Sequence, residues 1–313
     1  MIDNPANKEN PPAPDTPKGH ICPPATALPQ LFQRHERQWR QNLYVYPVVS
    51  RRSGGLSIGI NLNPDKACNF DCVYCQVDRT VPPVVHRVDL DVLGRELNAL
   101  LTWALDGSLF SEPPFDCLTG DQRAIRDIAF SGDGEPTASP VFPEAVVLAA
   151  EARRQKALEH TKLVLITDAC YLTKPKVRAA LEVLDANYGE IWAKLDAGTE
   201  AYFKQVNRGK VSLDHVLRNI LEAARARPLV IQSMWMKLHG QSPPAEEIAA
   251  FAERLQDILR AGGRLKLIQL YTVARRTAEA YAEPVKLAEL QNLADVVRQR
   301  VRVPVEVFAG REG

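Results

Sequence analysis

Three cysteines, Cys68, Cys72 and Cys75, fall within eight residues of this 313-residue chain. An odd number of thiols at Cys-x3-Cys-x2-Cys spacing cannot close on itself by pairing. Six cysteines in all are also too few for a disulfide scaffold of this length. Three soft ligands on one loop are instead a natural donor set for a metal centre with one open position. An apolar, strand-like run at 58–62 leads through Asn63-Pro64-Asp65-Lys66-Ala67 into the first thiol. The thiols therefore sit at a strand's C-terminal end, the face on which barrels and α/β sheets bind ligands.

On spacing alone two centres compete. A zinc site would need a fourth ligand, and His86, eleven residues after Cys75, could supply it. An iron–sulfur cluster would take the three thiolates and leave one iron open. Composition narrows the setting. A hydrophobic content of 45% allows a substantial core, and 39 Lys+Arg against 38 Asp+Glu leaves a formal charge of +1. That balance removes the signature of a dedicated nucleic-acid binder but leaves room for a local basic patch. The longest apolar runs, 146–150 and 163–166, fall far short of the roughly 20 residues of a spanning helix. Residues 1–14 lack the pattern of a secretory signal. The expectation is a soluble protein in the reducing cytoplasm, with no membrane partner.

Residues 1–30 carry Pro5, Pro11, Pro12, Pro14, Pro17, Pro23, Pro24 and Pro29, which predicts a disordered tail containing Cys22. A basic and aromatic lead-in follows over 31–56, where Arg34, Arg37, Arg40, Arg51 and Arg52 interleave with Trp39, Tyr44 and Tyr46. This mixture suits base stacking with phosphate contacts, but also a solvated face and a strand packed against the core. The core domain is expected over 57–313. Strands are predicted at 58–62, 127–130, 163–167, 191–195, 229–236, 265–271 and 303–308, each short and apolar on both faces. Between them, Leu93, Leu97, Leu100, Leu101 and Ala104 recur at helical spacing, as do Ile248, Phe251, Leu255, Ile258 and Leu259 before Gly262-Gly263. The alternation implies an α/β fold with a parallel sheet, either open or a partial barrel. The connection 106–122, which contains Cys117, is long enough to be functional or disordered.

A second motif, Phe130-Ser131-Gly132-Asp133-Gly134-Glu135-Pro136-Thr137, closes the second predicted strand. Its glycines permit close backbone approach, and Glu135 offers a carboxylate to an ammonium group. With the cysteine loop, Tyr74 before its last cysteine, and Ala193-Lys194-Leu195-Asp196-Ala197-Gly198 followed by Phe203 and Val206-Asn207-Arg208, the chain resembles the radical S-adenosylmethionine (SAM) superfamily. The Gly59-Ile60-Asn61-Leu62-x-Pro64 run and the Ser-Gly-x-Gly-Glu-Pro-Thr turn place the resemblance near the wyosine-synthesis tRNA enzymes.

The resemblance implies a partial (βα)6 TIM-like barrel spanning about 58 to 308. Cys68, Cys72 and Cys75 would hold a 4Fe–4S cluster whose open iron is chelated by SAM. Reductive cleavage of SAM then gives methionine and a 5′-deoxyadenosyl radical that abstracts a substrate hydrogen. Gly134 and Glu135 would orient the methionyl amino group, and the Tyr74 backbone would lie near the adenine. Thr167, Asp168 or Lys194 would face the ribose. The resemblance also implies a low-potential electron donor of flavodoxin or ferredoxin type. Two positions depart from the usual pattern: Asp133 replaces a glycine, and Thr167-Asp168-Ala169 stands where many relatives carry Thr-Asn-Gly. Lys194 and Asp196 could instead form a structural ion pair at the rim.

Other candidates carry two readings each. Cys170 follows the third strand and could donate a hydrogen atom or simply pack as a small hydrophobe. Arg275-Arg276 could face an anion or solvent, and His239 could do acid–base work or be an ordinary loop histidine. Trp235 reads as core or adenine-side packing. The scattered Cys22, Cys117 and Cys170 predict no second cluster. Three functions stay open: a radical SAM enzyme on an RNA base or another macromolecule, an activating enzyme planting a glycyl radical on a partner protein, and a zinc-stabilised, non-catalytic binding protein.

Overall fold

A computed structural model describes residues 39–310. The predicted tail over 1–30, with Cys22, lies outside the described residues. Among the described residues, nine strands form the sheet: β1 (Val45–Ser50), β2 (Gly55–Ile60), β3 (Ile125–Phe130), β4 (Lys162–Thr167), β5 (Gly189–Lys194), β6 (Leu229–Leu238), β7 (Leu265–Thr272), β8 (Ala282–Pro284) and β9 (Val305–Phe308). The order is β1-β2-β3-β4-β5-β6-β7-β9, with β8 added antiparallel to β6. From β2 onward the main path is parallel, and β1 pairs antiparallel with β2 at one edge. Pro47 fits in β1 because an edge strand has one unpaired side.

Among the described residues, seven helices cover the outer face: α1 (Leu90–Leu105), α2 (Phe142–Gln155), α3 (Pro175–Ala186), α4 (Glu200–Val206), α5 (Leu213–Ala226), α6 (Ala245–Arg260) and α7 (Leu287–Arg300). The predicted stripe Leu93, Leu97, Leu100, Leu101 and Ala104 is the buried face of α1. Asp89 starts that helix by accepting hydrogen bonds from the Asp91 and Val92 amides. The period-2 alternation of the strands separates two interiors. Ile58, Ile128, Leu163, Leu165, Ile191 and Ile231 join the helix-covered core, whereas Ala129, Val164, Trp192 and Val230 pack together as a small cluster of their own. That second cluster is the lining of a curled, partial barrel, as the family resemblance implied.

The connection 106–122 is neither disordered nor part of the site. It folds into 3-10 turns at Ser108–Ser111, Phe115–Cys117 and Gly120–Arg123 and buries Leu109, Phe110, Phe115 and Leu118. Trp39 meets Phe115 edge-on at 5.3 Å. Short, aperiodic turns hide their apolar residues from a search for regular spacing.

Candidate active site

The cysteine loop leaves β2 and is fastened from two sides. Towards α4, the Asp71 amide donates to the Asn207 carbonyl at 3.1 Å and the Val73 amide to the Val206 carbonyl at 2.9 Å. Phe70 packs edge-on against Phe203 at 5.4 Å. From the other side, the Ala278 amide donates to the Cys75 carbonyl at 2.7 Å and the Glu279 amide to the Val73 carbonyl at 3.1 Å. Arg208 ties both clamps together through the Asp71 carbonyl at 2.6 Å and the Glu279 carboxylate at 2.7 Å.

The Gly-Asp-Gly turn packs against the same loop. A Cβ on Gly132 would overlap the Asn61 side chain, and one on Gly134 would overlap the Ala67 carbonyl and the Asn63 side chain. The sequence assigned these glycines to ligand approach; the close approach seen is to the chain that carries the thiols. Asn61 completes the lock: its side chain bonds the Asn63 and Asp133 amides and the Asp133 carboxylate.

Cys68, Cys72, Tyr74, Cys75, Gly134, Glu135, Thr167, Asp168 and Lys194 line one cavity of about 270 Å³. Cys68, Cys72 and Cys75 are free thiols. Burial pushes the Cys68 thiol up to about 11 and, with the charge of Asp196, the Cys72 thiol up to about 12. Two donors face the sulfurs: Arg79 Nη1 lies 3.3 Å from Cys75 Sγ and Asn207 Nδ2 lies 3.5 Å from Cys72 Sγ. His86 is exposed and lines a neighbouring cavity with Cys68 but without Cys72 or Cys75. Among the described residues, no three His, Cys, Asp or Glu side chains gather closely enough to hold a single metal ion. A cubane draws its thiolates from separate corners rather than from one ion's coordination sphere. A loop of three free thiols with N–H donors on two sulfurs has the donor chemistry that such a cluster requires.

Glu135 is buried and heavily bonded. Its Oε1 accepts from the Thr137 amide at 3.0 Å, the Thr137 hydroxyl and the Thr167 hydroxyl at 2.7 Å; its Oε2 accepts from the Asp168 amide at 2.7 Å. Thr167 thus spends its hydroxyl on Glu135. Asp168 lies beside this group, and burial together with the Glu135 charge holds its carboxyl well above the usual range. A carboxylate pair strained in this way favours a cation between or beside its members. Ala169 adopts φ +67°, the left-handed conformation that glycine takes freely, and its amide closes the turn onto Thr167 Oγ1 at 3.0 Å.

Asp196 organises the opposite wall. It accepts from the Tyr74 hydroxyl, from Asn207 Nδ2 at 3.0 Å and from the Met234 amide at 2.8 Å, and pairs with Lys194 at 3.2 Å. Lys194 Nζ also donates to the Tyr271 hydroxyl at 2.7 Å. Burial opposes the lysine charge, but Asp196 and Tyr271 outweigh it and hold Lys194 above its ordinary range. Lys194 thus forms the ion pair with Asp196 and also lines the cavity. Sequence reasoning missed Gln232, Met234 and Tyr271, which reach the cavity from β6 and β7. Gln232 is fully buried and its Oε1 has no partner among the described residues. The inward period of those strands was the available signal.

The other candidates, Arg275 apart, are placed elsewhere. Cys170 is buried outside the cavity lining, with its amide on Asp168 Oδ1 at 2.9 Å and its carbonyl held by Asn219 at 2.8 Å. Trp235 is core, set between Tyr202 and Phe251. His239 stacks on Tyr281 at 4.1 Å. Arg275 lines the cavity and bonds Gln76 at 3.0 Å, whereas Arg276 is exposed.

A parallel partial barrel with a three-thiol loop after its first parallel strand and a Gly-Glu turn after the second has the fold of the radical SAM superfamily, which the motifs resemble. Two solved structures carry the same fold: TYW1 with a lysine-pyruvate adduct bound, and a mutant spore photoproduct lyase with dinucleoside spore photoproduct. The first aligns with a TM-score of 0.51 at 13% identity, over 88% of this chain and 81% of that one. The second aligns with a TM-score of 0.52 at 14% identity, over 86% and 80%. Among curated proteins, a UPF0026 protein of Methanocaldococcus jannaschii is 29% identical over 56% of this chain and 46% of its own length. A UPF0026 protein of Helicobacter pylori strain J99 is 24% identical over 68% and 61%. A protein named GTPase Obg of Brachyspira hyodysenteriae is 24% identical over 83% of this chain but 34% of its own length. The chain thus spans about a third to three-fifths of these relatives. No family model matches it. No helix among the described residues is long and apolar enough to cross a membrane.

Proposed function

We propose that this protein is a radical SAM enzyme acting on a base within a nucleic acid. The observation that carries the reading is the convergence of Cys68, Cys72 and Cys75 with the Glu135–Asp168 carboxylates on one cavity at the C-terminal ends of the strands. Bound there, a 4Fe–4S cluster and SAM would supply the radical chemistry. The chain's own residues do the positioning. The three thiols bind, and Arg79 and Asn207 donate to two of the sulfurs. Asp168, whose charge burial and Glu135 disfavour, gains from an ammonium group, while Glu135 anchors the turn. Lys194, Tyr271 and Gln232 present two donors and an unpartnered acceptor to a polar substrate. The dinucleoside in the lyase structure of the same fold supports a nucleic-acid substrate. A low-potential flavodoxin or ferredoxin and a cytoplasmic setting complete the reading.

Anaerobic reconstitution with iron and sulfide tests it. Wild-type protein should turn brown and carry about four irons per chain. Cys72→Ala should stay almost colourless, since a cubane held at two corners is labile. A variant that kept its iron would refute the ligand assignment.

A further inference from the structure

Arg51 and Arg52 sit in the turn between β1 and β2, beyond Ser50, which pairs with Gly55 at the N-terminal end of β2. The cysteine loop leaves the other end of β2. Yet both arginines line the same cavity as the thiols, because that cavity follows β1 from Tyr46 to the turn. Arg52 reaches over the Trp192 ring at 5.5 Å and the Tyr271 ring at 5.2 Å, two aromatic faces that hold its guanidinium. Arg51 donates to the Ala309 carbonyl beyond β9.

Two half-buried guanidiniums side by side are costly unless something negative meets them. Among the described residues, no carboxylate lies within ion-pair distance of either. Two buried acids lie on this side of the sheet: Asp127 feels the Arg52 charge but accepts the Ser53 and Ser57 hydroxyls instead, and Glu190 is taken up by Lys162, Lys266 and Trp192 Nε1. Burial and the neighbouring Arg52 both lower Arg51 from its ordinary value, the shift expected of a cation lacking its counter-charge.

We infer that Arg51 and Arg52 form an oxyanion subsite at the far end of the barrel lumen, binding a phosphate or carboxylate group of the substrate. It fixes how deep the substrate enters, with the reacting part directed toward the cysteine loop. Two adjacent forks suit the planar or tetrahedral oxygens of such a group. That the group belongs to a substrate rests on the function proposed above; the anion site itself does not.

Titration of purified protein with inorganic phosphate, pyrophosphate and succinate, at constant ionic strength and without reductant or SAM, tests the site directly. Trp192 fluorescence should report saturable binding, and Trp192→Phe should remove the signal. Arg51→Gln and Arg52→Gln should weaken binding at least tenfold, with Arg52→Lys retaining part of it. Tighter phosphate than succinate assigns a phosphate ester, and the reverse a carboxylate. As a readout on unaltered protein, phosphate should slow phenylglyoxal modification of Arg52 several-fold while leaving exposed Arg218 unaffected. No saturable response to any oxyanion, together with an unprotected Arg52, would overturn the inference. Failure of wild-type SAM cleavage would refute the enzyme class without touching this result.

Discussion

Asn207 holds its side-chain amide 3.5 Å from the Cys72 sulfur and 3.0 Å from Asp196 Oδ2, bridging a thiol and a buried carboxylate. Hydrogen bonds to ligand sulfurs stabilise the reduced, more negative state of an iron–sulfur cluster. Asn207→Leu should therefore lower the midpoint potential of the reconstituted cluster while leaving the iron content near wild type. Potentiometric titration followed by electron paramagnetic resonance measures it. An unchanged potential would show that the amide serves Asp196 alone.

Gly134→Ala asks whether the turn and the cysteine loop are one unit. The added methyl would collide with the Ala67 carbonyl and Asn63, groups that cannot simply swing aside. Overpacking of this kind costs about 1–3 kcal/mol. The variant should melt several degrees lower and load less iron, as thermal melts and iron assays would register. Wild-type iron loading would mean that the cysteine loop is positioned independently of the turn.

Glu190 gives a pH test away from the thiols. It is 8% exposed and receives Lys266 at 2.6 Å, Trp192 Nε1 at 2.7 Å and Lys162 at 3.1 Å. Burial raises its carboxyl, but these partners outweigh burial and hold it below the usual range. A depressed folded value means stability present above about pH 4.5 and lost as pH falls through the folded value. Glu190→Gln should cost about 1–3 kcal/mol at pH 7 and flatten the acid limb. Denaturation curves at pH 7 and pH 4 supply the comparison, and parallel losses in both proteins would contradict the assignment.

The strands from β2 to β7 were legible because each is a short apolar run closed by a turn, and a parallel sheet needs little else. β1 was harder to read, since Pro47 interrupts it and only an edge strand tolerates that. The cysteine loop was legible from spacing, which is local. The Cys72–Asn207–Asp196–Lys194–Tyr271 chain was not, because it joins side chains from four separate parts of the sequence. Arg51 and Arg52 appeared as a basic stretch with no stated direction. Only the antiparallel pairing of β1 brings their turn into the cavity that also holds the thiols.

The most direct measurement is the yield of 5′-deoxyadenosine when reconstituted protein is incubated anaerobically with dithionite and SAM, read by liquid chromatography and mass spectrometry. Wild-type protein should yield 5′-deoxyadenosine and methionine, and Cys72→Ala neither. Colourless protein carrying a single zinc ion and yielding no 5′-deoxyadenosine would contradict the radical SAM reading.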